Sequence, residues 1–169
     1  AYEKSILAIG ISLLLIMVLL LALYRVMAIP ACISLLVYTE IIIGFFLLLK
    51  VKLSLPGIAG LMLSIGMAVD ANVIIFERIR EELKAGKTHK AAIKAGYKNA
   101  LSSIIDSNIT TLIAGIVLYV YGIGAIRGFG VTLILGIVAS MFTAVLLTKW
   151  LLDLMANIFT FKSNKSFGA

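Results

Sequence analysis

The sequence contains almost none of the residues that form disulfide bridges or hold metal ions. Cys32 is the one cysteine and His89 the one histidine among 169 residues, which excludes a disulfide framework and a cysteine-based metal cluster within this chain. His89 lies in a basic segment with no second metal-type residue beside it, and we expect a solvated side chain there. We predict neither a metal site nor a cofactor.

Charged residues are also scarce, and acidic ones especially so. Charged side chains make up 14% of the chain, with 8 acidic and 15 basic residues, whereas hydrophobic residues make up 62% and mean hydropathy is +1.15. Several apolar runs reach about 20 residues, the length that spans a bilayer. This pattern excludes a soluble bundle and predicts one transmembrane domain over residues 1–169, surrounded by lipid.

Both prolines lie where a helix is expected to begin. Pro30 and Pro56 each precede an apolar run, and proline is favoured in the first turn of an α-helix. We predict an all-α, polytopic membrane helix bundle with five transmembrane helices. The predicted spans cover about residues 6–23, 30–49, 56–76, 101–121 and 129–150.

The one sizeable segment between spans, residues 77–98, is predicted to be a loop that contains short helical pieces. Phe76 and Ile79 recur at helical spacing with charges between them, as in an amphipathic helix that lies at the membrane interface. Gly86 breaks this helix, and Thr88 can cap a second short one that leads back to the membrane.

Lysine and arginine collect on one side of the predicted spans, eleven residues against four on the other. The larger group comprises Arg25, Arg78, Arg80, Lys84, Lys87, Lys90, Lys94, Lys98, Lys149, Lys162 and Lys165. Because positive residues favour the cytoplasmic side, we predict a cytoplasmic loop over residues 77–98, an N-terminus outside and a cytoplasmic C-terminus. The same distribution accounts for the net charge of +7 without a nucleic-acid partner.

Small or short polar residues recur at every fourth position in the third and fifth spans. The third span carries Gly60, Ser64, Ala68 and Asn72, and the fifth carries Thr132, Gly136, Ser140 and Ala144. Such rows let membrane helices approach closely. Asp70 lies about 200° round the third helix from Asn72. Both faces have to meet protein or water, so we expect this helix at the centre of the bundle.

One carboxylate, that of Asp70, lies deep in an apolar span. A charge at that depth costs at least ~2.5–3.5 kcal/mol on insertion scales, which makes Asp70 a functional candidate by default. Asp106 in the fourth span comes to a comparable depth, about 10 Å from the cytoplasmic boundary at a rise of about 1.5 Å per residue. The other polar candidates within the spans are Glu40, Asn72, Asn108, Thr110 and Thr111.

These polar residues have several interpretations. Asn108, Thr110 and Thr111 can simply bind helices together, whereas a desolvated carboxylate suits a group that binds and releases a proton. Glu40 can line the same polar interior or face a missing partner. Two intramembrane aspartates can also form a hydrolytic dyad, but the Gly-x-Gly-Asp pattern of intramembrane aspartyl proteases is absent before Asp70. We predict no enzyme activity.

A set of short motifs resembles the SecD/SecF family of protein-export membrane subunits, within the resistance-nodulation-division superfamily. In order along the chain, the motifs are Leu55–Gly60, Gly66–Val73, Phe76–Glu82, Asp106–Thr111 and Gly128–Phe129. The Asp70-Ala71-Asn72 triplet is similar to the SecD branch, because the SecF branch usually carries an Asn-Asp pattern there. Ser107 and Glu40 depart from the family pattern, in which alanine and an asparagine-like residue are expected.

The resemblance implies a function in protein export across the prokaryotic cell (inner) membrane. Members of the SecD branch act with SecF beside the SecYEG translocon and use the proton-motive force late in preprotein translocation. By motif, Asp70 is the proton-responsive carboxylate, with Asn72 and residues 106–111 as its polar surroundings. The five helices would form one half of a pseudo-symmetric transporter-like domain, which SecF completes. The native protein is expected to have an earlier helix and an extracytoplasmic domain that binds unfolded preprotein, both absent from this chain.

Two other functions stay open from the sequence. The chain can be half of a related proton-driven transporter of drugs, lipids or sterols, which shares the intramembrane acid. It can also be a structural scaffold within the translocon, for which the rows of small residues matter and Asp70 does not. Whether Asp70 carries the proton alone or with Glu40 and Asp106 is open as well.

Overall fold

The computed structural model describes residues 2–25, 28–52 and 54–158, and these residues form helices and short connections without a β-strand. The helices are α1 (Tyr2–Tyr24), α2 (Ala28–Leu49), α3 (Leu55–Lys84), α4 (His89–Tyr121), α5 (Ala125–Phe142) and α6 (Thr148–Ile158), with a π-helical segment, Thr143–Leu147, joining α5 to α6. Five helical stretches are long and apolar enough to cross a membrane. They are α1, α2, α3, α4 and the continuous stretch Ala125–Leu154, which comprises α5, the π-helical segment and the beginning of α6. The predicted all-α bundle with five membrane helices is confirmed. Lys162 and Lys165, which were counted above to predict the orientation, lie outside the described residues.

The connection between α3 and α4 is much shorter than the sequence analysis predicted. It comprises only Ala85–Thr88, where Gly86 adopts a positive φ of 93° and the Thr88 hydroxyl accepts a hydrogen bond of 3.4 Å from the Ala91 N–H. The predicted break at Gly86 and the predicted helix cap at Thr88 are confirmed. The predicted extent of the loop, residues 77–98, was wrong, because residues 77–84 are the end of α3 and residues 89–98 are the start of α4. Hydropathy shows where apolar residues end, but a helix can continue through charged residues.

Ion pairs along the charged end of α3 favour this continuation. Arg78 pairs with Glu81 at 3.0 Å and Arg80 pairs with Glu77 at 3.0 Å, both one helical turn apart. Such pairs stabilise an exposed helix by a few tenths of a kcal/mol each, about 0.2–0.5. We call the end of the bundle that carries the connection Ala85–Thr88 the loop end.

The third helix lies at the centre of the bundle, as predicted, and packs against α1, α2, α4 and α5. The two rows of small residues face each other along α3 and α5. A Cβ placed on Gly60 would overlap the Thr132 hydroxyl, and one placed on Gly136 would overlap the Ser64 side chain. The two helices therefore approach so closely that no larger residue fits at these positions.

Glycine also permits the close approach of α4 to α3. A Cβ on Gly96 would lie 2.6 Å from the Ile79 Cα, a distance that only a shift of the backbone could relieve. Ile79 is itself fully buried, together with Ile75 and Phe76. The three helices α3, α4 and α5 consequently form a tightly packed unit.

The helices α1 and α2 are more loosely attached to that unit and carry about half of the exposed large apolar side chains. In α1, Ile6, Leu7 and Leu14 are each more than 60% exposed. At its loop end α1 is held by Tyr24, whose ring lies 5.2 Å from the Phe76 ring. These exposed apolar faces fit a chain that is surrounded by lipid.

Candidate functional site

Two polar residues, Asp70 and Asn72, lie near the middle of α3 and point to opposite sides of it. Asn72 is buried, with 3% of its surface exposed, whereas Asp70 is exposed. A separation of two residues turns the side chain by about 200° on a helix of 3.6 residues per turn. We call the side of Asn72 the closed face of α3 and the side of Asp70 its open face.

The closed face contains a hydrogen-bonded chain of polar side chains from three helices. The Thr148 hydroxyl at the start of α6 donates to the Asn72 Oδ1 at 2.9 Å. The Ser34 hydroxyl of α2 lies 2.8 Å from the Thr148 Oγ1, and all three residues are buried. Buried polar groups that are paired in this way tie helices together where water cannot compete.

Ser34 and Thr148 were not predicted from the sequence to lie beside Asn72. Hydroxyl residues in apolar spans usually bond to a carbonyl of their own helix, as Thr39 does with the Leu35 carbonyl at 2.9 Å. Nothing in the spacing of Ser34 distinguishes it from such residues. Thr148, however, lies four residues after Ala144 and continues the row of small residues in the fifth span. This spacing was a signal that Thr148 faces α3, although the π-helical segment before it sets its final direction.

A second buried hydrogen bond extends the closed face towards the start of α3. The Tyr38 hydroxyl donates to the Ser64 Oγ at 2.8 Å, and the Ser64 hydroxyl donates to the Leu61 carbonyl at 2.8 Å. Tyr38 is 1% and Ser64 0% exposed. The closed face is therefore a buried, closely packed contact between α2, α3 and α5.

The open face of α3 borders a cleft between α3 and α4. The cleft has a volume of about 220 Å³ and is lined by Met67, Asp70, Ala71, Ile74, Ser107, Asn108 and Thr111. The structure therefore brings Asp70 together with Asn108 and Thr111, as the shared depth of the third and fourth spans predicts. Polar groups from two neighbouring helices surround a space large enough for several water molecules.

The polar side chains of α4 in this cleft donate hydrogen bonds to their own helix. The Asn108 Nδ2 donates to the Ile104 carbonyl at 2.7 Å, and the Thr111 hydroxyl donates to the Ser107 carbonyl at 3.0 Å. In the described part of the chain the Asp70 carboxylate has no ion pair and no hydrogen-bond partner. The cleft is thus bordered by an exposed carboxylate that forms no hydrogen bond or ion pair with the described residues.

The remaining site candidates lie elsewhere. Asn72 belongs to the closed face, and Asp106, Thr110 and Glu40 are exposed and do not line the cleft. The Thr110 hydroxyl donates to the Asp106 carbonyl at 2.9 Å. Asp106 lies about 100° round α4 from Ser107, so the two aspartates do not share one enclosed space within this chain. Among the described residues no group of three metal-ligating side chains comes together.

Comparison with known proteins relates this chain and its fold to protein export membrane proteins. Residues 1–157 match the family model described as "Protein export membrane protein SecD/SecF, C-terminal". The protein translocase subunit SecD of Calditerrivibrio nitroreducens is 56% identical over 126 residues, which cover 75% of this chain and 24% of that protein. The SecD subunit of Acidaminococcus fermentans is 48% identical over 170 residues, which cover 100% of this chain and 40% of that protein.

Solved structures with this fold carry related names. A crystal structure of SecDF in a super-membrane-facing form has a TM-score of 0.89 at 40% identity and covers 95% of this chain. SecDF from Thermus thermophilus, described as a translocon-associated membrane protein, has a TM-score of 0.88 at 41% identity and covers 93%. This chain covers 22% of each of those chains, and less than half of the two SecD relatives. Since the family match extends over most of its length, this five-helix membrane chain belongs to the SecD/SecF family of protein export membrane proteins.

Proposed function

We propose that this chain is the SecD-type membrane half of a machine that uses the proton-motive force to assist late preprotein translocation. A relative that it matches over its whole length is named a protein translocase subunit, and a solved relative is described as translocon-associated. The proposed partners are SecF, the SecYEG translocon and unfolded preprotein, the last bound through an extracytoplasmic domain outside this chain.

The observation that carries the proposal is the unpaired Asp70 carboxylate in the cleft between α3 and α4. The other polar side chain in the middle of α3, that of Asn72, is buried and accepts a hydrogen bond from the Thr148 hydroxyl. A charged carboxylate left in lipid costs at least ~2.5–3.5 kcal/mol, whereas its protonated form is far cheaper to bury. Proton uptake at Asp70 would therefore change which surface the open face of α3 can pack against.

The surface beside the cleft supports a second membrane half as the partner of this chain. On α4 the residues Ser103, Asp106, Ser107 and Thr110 are all exposed, although they lie within an apolar helix. Polar groups in a span face protein or water rather than lipid. We infer that SecF covers this polar strip together with the Asp70 cleft, which gives the pseudo-symmetric arrangement of many transporters.

The orientation of the chain is part of the same proposal. The loop end of the bundle carries most of the lysine and arginine residues, and such residues favour the cytoplasmic side of a prokaryotic cell membrane. The start of α3 at Leu55 then lies outside and its end at Lys84 inside. A proton that enters from outside would meet Asp70 in the cytoplasmic half of the membrane, about 10 Å from that boundary.

The coupling follows from the rigidity of α3. Binding of a proton removes the charge of Asp70, and this shifts the equilibrium between two packings of the open face. Because the closed face holds α3 tightly to α5 and α2, a change on the open face moves these helices as one body. A domain linked outside the membrane would read out this movement as a pull on preprotein.

The decisive experiment replaces Asp70 in the full-length protein. Asp70→Asn keeps the size of the side chain and removes the proton site, so we expect the proton-driven part of export to be lost. Translocation of a preprotein into inverted membrane vesicles, with and without an imposed proton gradient, measures this. Asp70→Glu is the matched control and should keep the dependence on the gradient.

Two further variants test whether Glu40 or Asp106 binds the proton together with Asp70. We expect Glu40→Gln and Asp106→Asn, made in the same protein, to retain gradient-driven export, because both residues lie outside the cleft. Loss in either variant would add that carboxylate to the site. Normal gradient-driven export in Asp70→Asn would contradict the proposal and favour the scaffold function, for which close packing of α3 against α5 is the supporting observation.

A further inference from the structure

A second cavity lies at the loop end of the bundle, away from the Asp70 cleft. It has a volume of about 370 Å³ and is lined by Lys90, Ile93, Lys94, Tyr97, Lys149, Leu152 and Asp153. The first two turns of α4 form one wall and the beginning of α6 forms the other. A cavity of this size lies within the range of small-ligand pockets, about 300–1,000 Å³. We call it the basic pocket.

Positive charge dominates the polar lining of the basic pocket. Three lysines line it against one carboxylate, that of Asp153, which leaves a formal charge of +2. The Lys149 Nζ lies 5.1 Å from the centre of the Tyr97 ring, a cation–π contact that holds one ammonium group at the wall. Lys90 and Lys94 are exposed and take part in no ion pair within the described ranges. The pocket therefore presents two unpaired cations and a third fixed one to an anion.

The depth of the pocket matches the polar boundary of a membrane. Tyr97 comes just before the fourth predicted span and Lys149 at the end of the fifth, so the pocket lies where apolar sequence gives way to charge. On the same helical stretch as the pocket residue Lys149, Leu146 and Trp150 are 58% and 61% exposed. Tryptophan is enriched at the level of lipid headgroups. A ligand in the pocket would thus have cations on one side and an exposed apolar surface beside it.

We propose that the basic pocket binds the phosphate of an anionic phospholipid, with the acyl chains lying along Leu146 and Trp150. Basic pockets between membrane helices recognise such headgroups through this combination of charge and position. The pocket is concave and holds one small group, whereas an acidic protein segment would need a longer basic groove. A free phosphate would use the lysines but would gain nothing from the exposed apolar side chains. The proposal does not depend on proton coupling at Asp70.

Lipid binding to the purified full-length protein tests this proposal. Native mass spectrometry from detergent micelles counts bound phosphatidylglycerol and bound phosphatidylcholine with identical acyl chains. We expect preferential binding of phosphatidylglycerol, and an approximately fivefold loss of its affinity for each lysine replaced by glutamine at positions 90, 94 and 149. Lys90→Arg and Lys94→Arg should retain the affinity, since they keep the charge.

The matched control uses lysines at the same end of the bundle that do not line the pocket. Lys84→Gln and Lys98→Gln remove two exposed charges and should leave phosphatidylglycerol binding within twofold of the unmodified protein. An equal loss in this control would overturn the proposal in favour of a general surface charge effect. Unchanged binding after replacement of the three pocket lysines would overturn it as well.

Two competitors distinguish the source of the anion. Inorganic phosphate and a soluble acidic peptide are added separately at concentrations matched to the lipid. We expect neither to displace phosphatidylglycerol, because neither contacts the apolar surface at Leu146 and Trp150. Displacement by inorganic phosphate would assign the pocket to a free anion, and displacement by the peptide would assign it to an acidic protein, each against the lipid proposal.

Discussion

The two faces of α3 differ in how complete they are within this chain. On the closed face, Asn72 finds its partner Thr148 at 2.9 Å, and small residues of α3 and α5 lie against each other without space for another methyl group. On the open face, Asp70 lies in a cleft of about 220 Å³ without a partner in the described part of the chain. The closed face holds this half of the domain together, whereas we expect the open face to be completed by another protein. Stability and function should therefore depend on opposite sides of the same helix.

The largest expected difference in stability is between substitutions of two glycines. Gly136 of α5 packs against the closed face of α3, and Gly66 lies on the open face. In Gly136→Ala the added methyl group overlaps the Ser64 side chain on the closed face, which should lower the free energy of unfolding by about 1–3 kcal/mol. In Gly66→Ala the added methyl group meets no atom within 4 Å. Alanine should then raise the helix stability by about 0.5–1 kcal/mol. Thermal unfolding of the subunit in detergent, without partner proteins, measures both variants, and equal destabilisation of the two would contradict the distinction between the faces.

Removal of a hydroxyl from the buried hydrogen-bonded chain of the closed face should have the next largest effect on the free energy of unfolding. Thr148→Val keeps the shape but removes the group that bonds to Asn72 and lies 2.8 Å from Ser34, and we expect a loss of about 1–2 kcal/mol. Thr110→Val is the matched control, because the exposed Thr110 hydroxyl bonds only to a carbonyl of its own helix. If the control lost as much stability as Thr148→Val, the buried chain would not be the cause.

A smaller loss is expected where one donor of the closed face is removed. Tyr38→Phe deletes the hydroxyl that donates to Ser64 at 2.8 Å, at a cost of about 0.5–1.5 kcal/mol in unfolding free energy. Tyr119→Phe serves for comparison, since Tyr119 is 41% exposed and its ring contact with Arg127 does not need the hydroxyl. Chemical unfolding of both variants in the same detergent should separate them, and a Tyr38→Phe protein as stable as the control would show that Ser64 finds another partner.

The smallest effect on stability is expected from the residue with the largest expected effect on function. Asp70→Asn removes no hydrogen bond or ion pair within the described residues, so the unfolding free energy of the isolated subunit should change by less than about 0.5 kcal/mol. The same variant should abolish gradient-driven export. A marked loss of stability would indicate that Asp70 supports the fold of this half.

Much of the bundle could be predicted from the sequence because lipid imposes simple rules. Apolar runs gave the five membrane helices, and the spacing of small residues identified the faces at which α3 and α5 meet. The opposite directions of Asp70 and Asn72 followed from helical geometry alone. The placement of Asp70, Asn108 and Thr111 around one cleft was expected from their similar depth in antiparallel spans, whereas Asn72, Asp106 and Thr110, expected nearby, lie outside it.

Other features depend on contacts that a single sequence does not display. The part of α3 beyond Phe76 consists largely of charged residues that favour a helix. Hydropathy does not detect such a continuation. The partners of Asn72 depend on which of many hydroxyl residues turn inward. Thr148 continues the row of small residues in the fifth span, but Ser34 has no such signal. The basic pocket was not predicted, because Lys149 is distant in the chain from Lys90 and Lys94 and all three served only to indicate orientation.

The π-helical segment Thr143–Leu147 sets the rotational phase of everything that follows it. An α-helix turns by about 100° per residue, and a π-helical turn accommodates one residue more than an α-helical turn. Deleting one residue from this segment would let α5 continue as a regular helix and would rotate α6 by roughly a quarter of a turn. Thr148 would then leave Asn72, and Lys149 would leave Tyr97. One extra residue thus aligns an interior hydrogen bond and a surface cation at the same time.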